Sequence, residues 1–187
     1  MSFEALAFAA KAHKDQVCKY TGSPYIGHPI EVAGLVACVA HEYPEPSDSL
    51  INAALLHDCI EDQAVTHAQI KEQFGVWVAD AVLMLSDLET GTRAQRKAAS
   101  CVRLSSAGAA VQTIKCADII VNTHSIALRD PKFAVLYLQE KRRMLEVLTK
   151  AHAGLLTMAW AQCATQDVQD VREPAIVEPV LAAITKK

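Results

Sequence analysis

Apolar residues recur along this chain at the spacing of one helix face, and helix-breaking residues interrupt them only at long intervals. Phe3, Leu6, Ala7 and Ala10 fall at i, i+3, i+4 and i+7, which predicts an amphipathic helix over residues 2–15. Just 7 Gly and 7 Pro punctuate the 187 residues, and aromatics make up 5% of them. That is too little turn chemistry and too few rings for a β-sandwich, while a hydrophobic share of 51% is too high for a disordered chain. Much of that share is Ala and Leu, the strongest helix formers. An all-α domain follows, and at this length it buries most of its apolar surface without disulfides.

The breaks set the order of elements. Thr21-Gly22-Ser23-Pro24 ends the first helix, and Pro29 suits the first residue of a second that runs to about His41. Tyr43-Pro44-Glu45-Pro46-Ser47 is the clearest loop. A third helix is expected from 47–49 through His57-Asp58. Thr66 with Gln69 three residues later forms a capping box for a helix ending at Phe74-Gly75, and another helix covers 76–86. Asp87–Arg93 reads as a polar turn, followed by helices over 93–104, 110–128 and, after Asp130-Pro131, 132–150. The weakly periodic stretch from Thr165, with Pro174 and Pro179, reads as an extension. The expected organisation is one domain over 1–164 and a C-terminal extension over 165–187.

A formal net charge of −3 lacks the basic footprint of a nucleic-acid binder, although a local basic pocket can hide inside that average. No apolar run approaches the ~20 residues of a membrane span, and Val32–Ala40 fits a buried helix. Glu4 in the first turn, with no basic lead-in to a long apolar run, speaks against a secretory signal. Six cysteines, at 18, 38, 59, 101, 116 and 163, include no CxxC pair and read as reduced thiols of a cytoplasmic protein. The residues do not specify an oligomeric state.

Four short segments concentrate chemistry. They are Lys14-Asp15-Gln16-Val17-Cys18-Lys19, Pro24-Tyr25-Ile26-Gly27-His28-Pro29, Leu55-Leu56-His57-Asp58-Cys59-Ile60-Glu61-Asp62, and Lys115-Cys116-Ala117-Asp118-Ile119-Ile120-Val121-Asn122. In the third, Ala53 to Leu56 run directly into an imidazole and three carboxylates. Carboxylates crowded at the end of a buried helix repel one another and are costly to desolvate, and a divalent cation would relieve both penalties. The plain alternative has the carboxylates facing solvent and His57 as an ordinary core histidine. In the fourth segment Lys115, Asp118 and Asn122 share a stripe of an otherwise apolar helix, which points to a polar pocket.

These segments, in this order, resemble the HD superfamily of metal-dependent phosphohydrolases, whose pattern is H…HD…D. His28, His57-Asp58 and Asp118 fall into it. The resemblance is closer to the hydrolase domain of RelA/SpoT proteins and the small stand-alone alarmone hydrolases of the metazoan SpoT homologue type. It extends through Phe74-Gly75, Tyr137-Leu138 and Glu140-Lys141, and covers about residues 3–150. The resemblance implies an HD-domain bundle of about eight to ten helices. It implies a divalent ion held by His28, His57, Asp58 and Asp118, a mixed N/O set that suits Mn²⁺, Fe²⁺ or Zn²⁺, with Mn²⁺ favoured by the family. It further implies removal of the 3′-pyrophosphate of guanosine tetra- or pentaphosphate. Glu61 and Asp62 would then handle protons and position water, while Lys19, Lys115, Asn122 and Tyr137 would contact the nucleotide.

One departure bears on specificity. Relatives carry arginine immediately before the basic residue matched by Lys19, whereas this chain has Cys18, and a thiol can neither stack on a base nor bind phosphate bidentately. Arg93, Arg96 and Lys97 could supply phosphate contacts instead, although a solvated basic helix start is the simpler reading. His13 is expected to pack or hydrogen-bond near the first loop, and His41, His67, His124 and His152 have no partner at ligand spacing. Two other functions stay open: another nucleotide phosphohydrolase on the same residues, such as an NADPH 2′-phosphatase, and a non-catalytic binding module with a structural ion.

Overall fold

In a computed structural model, residues 3–165 are described, and they form an all-α bundle. The helices are α1 (Phe3–Ala12), α2 (Gly27–Ala37), α3 (Ser47–Leu56), α4 (Cys59–Asp62), α5 (His67–Phe74), α6 (Val76–Leu85), α7 (Arg93–Ser106), α8 (Ala109–Thr123), α9 (Ile126–Arg129), α10 (Pro131–Val147) and α11 (Ala153–Thr165). A 3₁₀ turn at Ala40–Glu42 follows α2. α4 and α9 are single turns, so the expected bundle of eight to ten helices is met by the nine longer ones. Helix α11 carried no break or cap in its sequence and was not anticipated. The expected 165–187 extension lies, apart from Thr165, outside the described residues.

Local chemistry explains the punctuation. Thr66 accepts from the Gln69 backbone while the Gln69 side chain returns to the Thr66 backbone, and Thr92 and Gln95 make the same reciprocal pair at the start of α7. Asp130 caps α10 by accepting the Phe133 N–H at 3.2 Å, with Pro131 as the first helical residue. α5 and α6 meet at Gly75, whose φ of 88° and ψ of 165° belong to a region closed to residues with a Cβ. Pro29 does not open α2; it sits in its third position.

α8 is the centre of the bundle, packing against α2, α3, α6, α9, α10 and α11. It is buried nearly all round, and Ile114, Cys116, Ala117 and Ile119 are sealed from solvent. α2 and α3 close on it through Val32, Ala33, Val36, Leu50, Leu55 and Leu56, all fully buried. Truncating Leu56 to Ala would cost ~2–5 kcal/mol through lost burial and the cavity left behind.

α3 does not run through His57-Asp58 as its periodicity suggested. Asp58 has φ −98° and ψ −2°, in the bridge region, and α4 restarts at Cys59. On an unbroken helix neighbouring residues point ~100° apart. The break lets two consecutive side chains address the same point.

Candidate active site

Three packed elements deliver four side chains to that point. His28 is the second residue of α2, His57 and Asp58 occupy the break between α3 and α4, and Asp118 projects from the buried middle of α8. The two imidazole Nε2 atoms face each other at 3.2 Å. Asp58 Oδ2 lies 3.4 Å from His28 Nε2 and 3.0 Å from His57 Nε2, and Asp118 Oδ1 lies 3.3 Å and 3.7 Å from the same two atoms. Three of the four are oriented by a hydrogen-bonding neighbour. His57 Nδ1 donates to the Ala54 carbonyl at 2.7 Å, which turns Nε2 toward the cluster. Tyr25 donates to Asp58 Oδ2 at 2.5 Å, while Asp118 takes Asn122 on Oδ1 at 2.5 Å and Lys115 on Oδ2 at 2.8 Å.

The electrostatics show what such a cluster demands. Burial alone would strip charge from all of these groups, yet the paired charges prevail. Beside Asp58 and Asp118, the His57 imidazolium is stabilised against that burial and its pKa is pushed up to about 10. Asp118 is held well below the carboxylate range, against its burial, by Lys115 and the imidazoles. Two inward-facing imidazole nitrogens with a carboxylate oxygen beside each require positive charge between them. Protons meet the need in part. A divalent cation meets it with a donor set suited to it, two nitrogens and two oxygens; His28, His57 and Asp58 alone place ligand atoms within 4.8 Å of one another.

Asp58 and Asp118 of the cluster line a cavity of about 360 Å³. Glu61 and Asp62 line it one turn beyond Asp58, outside the four-residue cluster. Glu61 Oε2 accepts the Asp87 N–H at 2.6 Å, and burial raises its pKa above the ordinary glutamate value. Asp62 Oδ2 accepts Gln16 Nε2 at 2.8 Å, and Gln16 is in turn held by His13 at 2.6 Å. His13 thus does what was expected of it, buried beside the loop. The opposite wall is cationic and aromatic, with Arg93, Arg96, Lys97, Lys141, Phe133 and Tyr137.

The structure brings together all four candidate ligands, Glu61, Asp62, Lys115, Asn122 and Tyr137. Lys19 lies outside the lining. Its side chain is 74% exposed, 3.7 Å from Asp130 and 5.7 Å from the centre of the Phe133 ring, at the rim. The view of Arg93, Arg96 and Lys97 as a solvated helix start holds for Arg96, which is exposed, and is corrected for Arg93 and Lys97. All three line the cavity, Arg93 grips Glu140 through two bonds of 2.7 Å, and Lys97 binds Asp87 at 2.7 Å. Sequence reasoning assigned no role to Tyr25, Asp87, Phe133 or Lys141. Tyr25 and Lys141 stand inside segments already singled out, so proximity was the available signal; Asp87 and Phe133 had none.

A profile of the HD domain matches residues 5–151. The chain is 32% identical over 124 residues to the guanosine-3′,5′-bis(diphosphate) 3′-pyrophosphohydrolase MESH1 of Danio rerio, covering 66% of this chain and 67% of that protein. Over 86 residues it is 37% identical to the bifunctional (p)ppGpp synthase/hydrolase SpoT of Escherichia coli, covering 46% of this chain and 11% of that one. Its fold matches the solved structure of a metazoan ortholog of SpoT with a TM-score of 0.77 at 22% identity, over 88% of this chain and 94% of the other.

Proposed function

The chain belongs to the HD domain family, and from that premise we propose that it is a (p)ppGpp 3′-pyrophosphohydrolase. Water adds to the pyrophosphoryl group on the ribose 3′-oxygen, that P–O bond breaks, and the products are GDP or GTP and pyrophosphate. The observation that carries this reading is the pairing of cluster and cavity: Asp58 and Asp118, each within 3.7 Å of both facing imidazoles, line a cavity that is also lined by cations. The similarity to MESH1 supports the substrate.

An HD domain binds a divalent metal, and His28, His57, Asp58 and Asp118 are the residues that would hold it, with Mn²⁺ as the proposed ion. Such an ion supplies Lewis acidity toward a phosphoryl oxygen and acidifies water. The remaining chemistry belongs to the chain. Glu61 and Asp62 share the removal of a proton from the attacking water, its positioning, and protonation of the departing 3′-oxygen. Lys115 neutralises Asp118 and extends positive charge into the cavity beside the cluster. Asn122 keeps Asp118 oriented and, with Tyr137 and Lys19, contacts the nucleotide. The catalytic domain is proposed to cover residues 1–164 and to act in the cytoplasm; no described helix is long and apolar enough to cross a membrane.

The test is turnover of ppGpp, NADPH and simple nucleotides by protein loaded with Mn²⁺, Fe²⁺ or Zn²⁺. Release of pyrophosphate from ppGpp as the fastest reaction supports the proposal. Faster release of phosphate from NADPH would assign the site to the 2′-phosphatase class that Cys18 keeps open, and no turnover of any nucleotide would favour a binding module.

A further inference from the structure

Glu61 is held in place by a part of the chain that carried no chemical signal. α6 ends at Leu85, and the segment 86–91 crosses to α7 without helical structure. The Asp87 N–H in this segment donates to Glu61 Oε2 at 2.6 Å. The Asp87 carboxylate lines the cavity and is bound by side chains of α7. Oδ1 accepts Ser100 Oγ and Arg103 Nη2, each at 2.7 Å, and Oδ2 accepts Lys97 Nζ at 2.7 Å. Arg103 also donates to the Ser86 carbonyl and pairs with Glu89 at 3.1 Å, so one guanidinium fastens both sides of residue 87.

We propose that Asp87 is a positioning residue: its side chain pins the 86–91 segment to α7 so that its own N–H fixes the Glu61 carboxylate at the edge of the cavity. Both carboxylate oxygens are taken by donors of α7, two of them cationic, so the group is not available as a proton carrier. Charge-assisted bonds of this kind are short and strong and persist where the groups are partly buried. The peptide N–H they anchor leaves one oxygen of Glu61, Oε1, for water or substrate. Without the anchor Glu61 regains its rotamers, and a misplacement of about 1 Å is enough to cost ~100-fold in rate.

The inference rests on the proton role of Glu61 given above, and the experiment separates the two. Asp87→Asn is made alone and together with Glu61→Gln, with Ser100→Ala as a milder cut at the same anchor. The single variant should lower kcat about tenfold and leave KM and bound metal within about twofold, and Ser100→Ala should lose about threefold. In the Glu61→Gln background the same change should alter kcat by less than about twofold, because a residue that acts through Glu61 has nothing left to position. An additive loss in the double variant overturns the inference and leaves the hydrolase reading standing. A readout independent of turnover is the ¹H–¹⁵N resonance of the Asp87 amide. It should move upfield in Glu61→Ala and lose exchange protection in Ser100→Ala, and an amide indifferent to both overturns the inference even in a chain that hydrolyses nothing.

Discussion

The two ends of the cavity are built on different principles. At the imidazole end the side chains come from core helices or, for His57 and Asp58, from the break between two of them, and three of the four are oriented by a neighbour before any ligand arrives, as His57 is by the Ala54 carbonyl and Asp118 by Lys115. At the cationic end Arg93 of α7 grips Glu140 of α10 and lies over Phe133. The first arrangement is fixed by packing, the second by exchangeable ion pairs. A polyanion can compete for the cations of the second; nothing but a cation or proton competes at the first. In the proposed hydrolase, chemistry would reside at the rigid end and substrate selection at the adjustable one.

The largest effects should come from the rigid end. His57→Ala or Asp118→Ala should abolish turnover and metal binding, and with metal at ~100 times its Kd the lost linkage is worth ~2.7 kcal/mol of stability. Metal analysis and thermal melts check this, and an unchanged metal stoichiometry would break the ligand assignment. Glu61→Ala and Asp62→Ala should keep the metal and lower kcat ~10²–10⁴-fold; loss of the metal or the fold in both variants would make these carboxylates structural. Smaller effects belong to the other wall. Arg93→Ala should raise KM about tenfold with kcat nearly unchanged, the pattern of an interaction made equally in ground and transition states. A fall in kcat instead would move Arg93 into the chemical end.

The ion pair of that wall also predicts an acid response. Its hydrogen bonds to Arg93 hold the Glu140 carboxyl below the ordinary glutamate value. Its contribution to stability is thus present above the unfolded value, about pH 4.5, and is lost as pH falls through the lower folded one. Glu140→Gln should flatten the acid limb of a stability-versus-pH curve below about pH 4.5, and an unaltered limb would show the pair to be inert. Lys19→Ala should have the smallest consequence, a rise in KM of no more than about threefold, in keeping with an exposed charge at the rim.

The same contrast explains what could be read in advance. The fold class and the Thr66–Gln69 cap were legible because each is written in contiguous residues or regular spacing, whereas the grouping of 28, 57, 58 and 118 came from the resemblance to the H…HD…D pattern. The break at Asp58 was not, since local periodicity continues smoothly through it and only the demands of the cluster interrupt the helix. Arg93 looked like a solvated helix start because its partner, Glu140, lies 47 residues away. Asp87 was invisible for a related reason. Its contact with Glu61 is made by a backbone amide, which every residue type except proline carries.

The bond from His57 to the Ala54 carbonyl links the last turn of α3 to the choice of tautomer. In the neutral ring the proton sits on Nδ1, because a peptide oxygen lies within reach there, and the lone pair is left on Nε2. Any lesion that rewound the end of this helix, even with every proposed ligand intact, would turn the wrong face of the ring toward the proposed metal position. In such a chain catalytic silence would arise from peptide geometry alone, leaving all four proposed ligands unaltered.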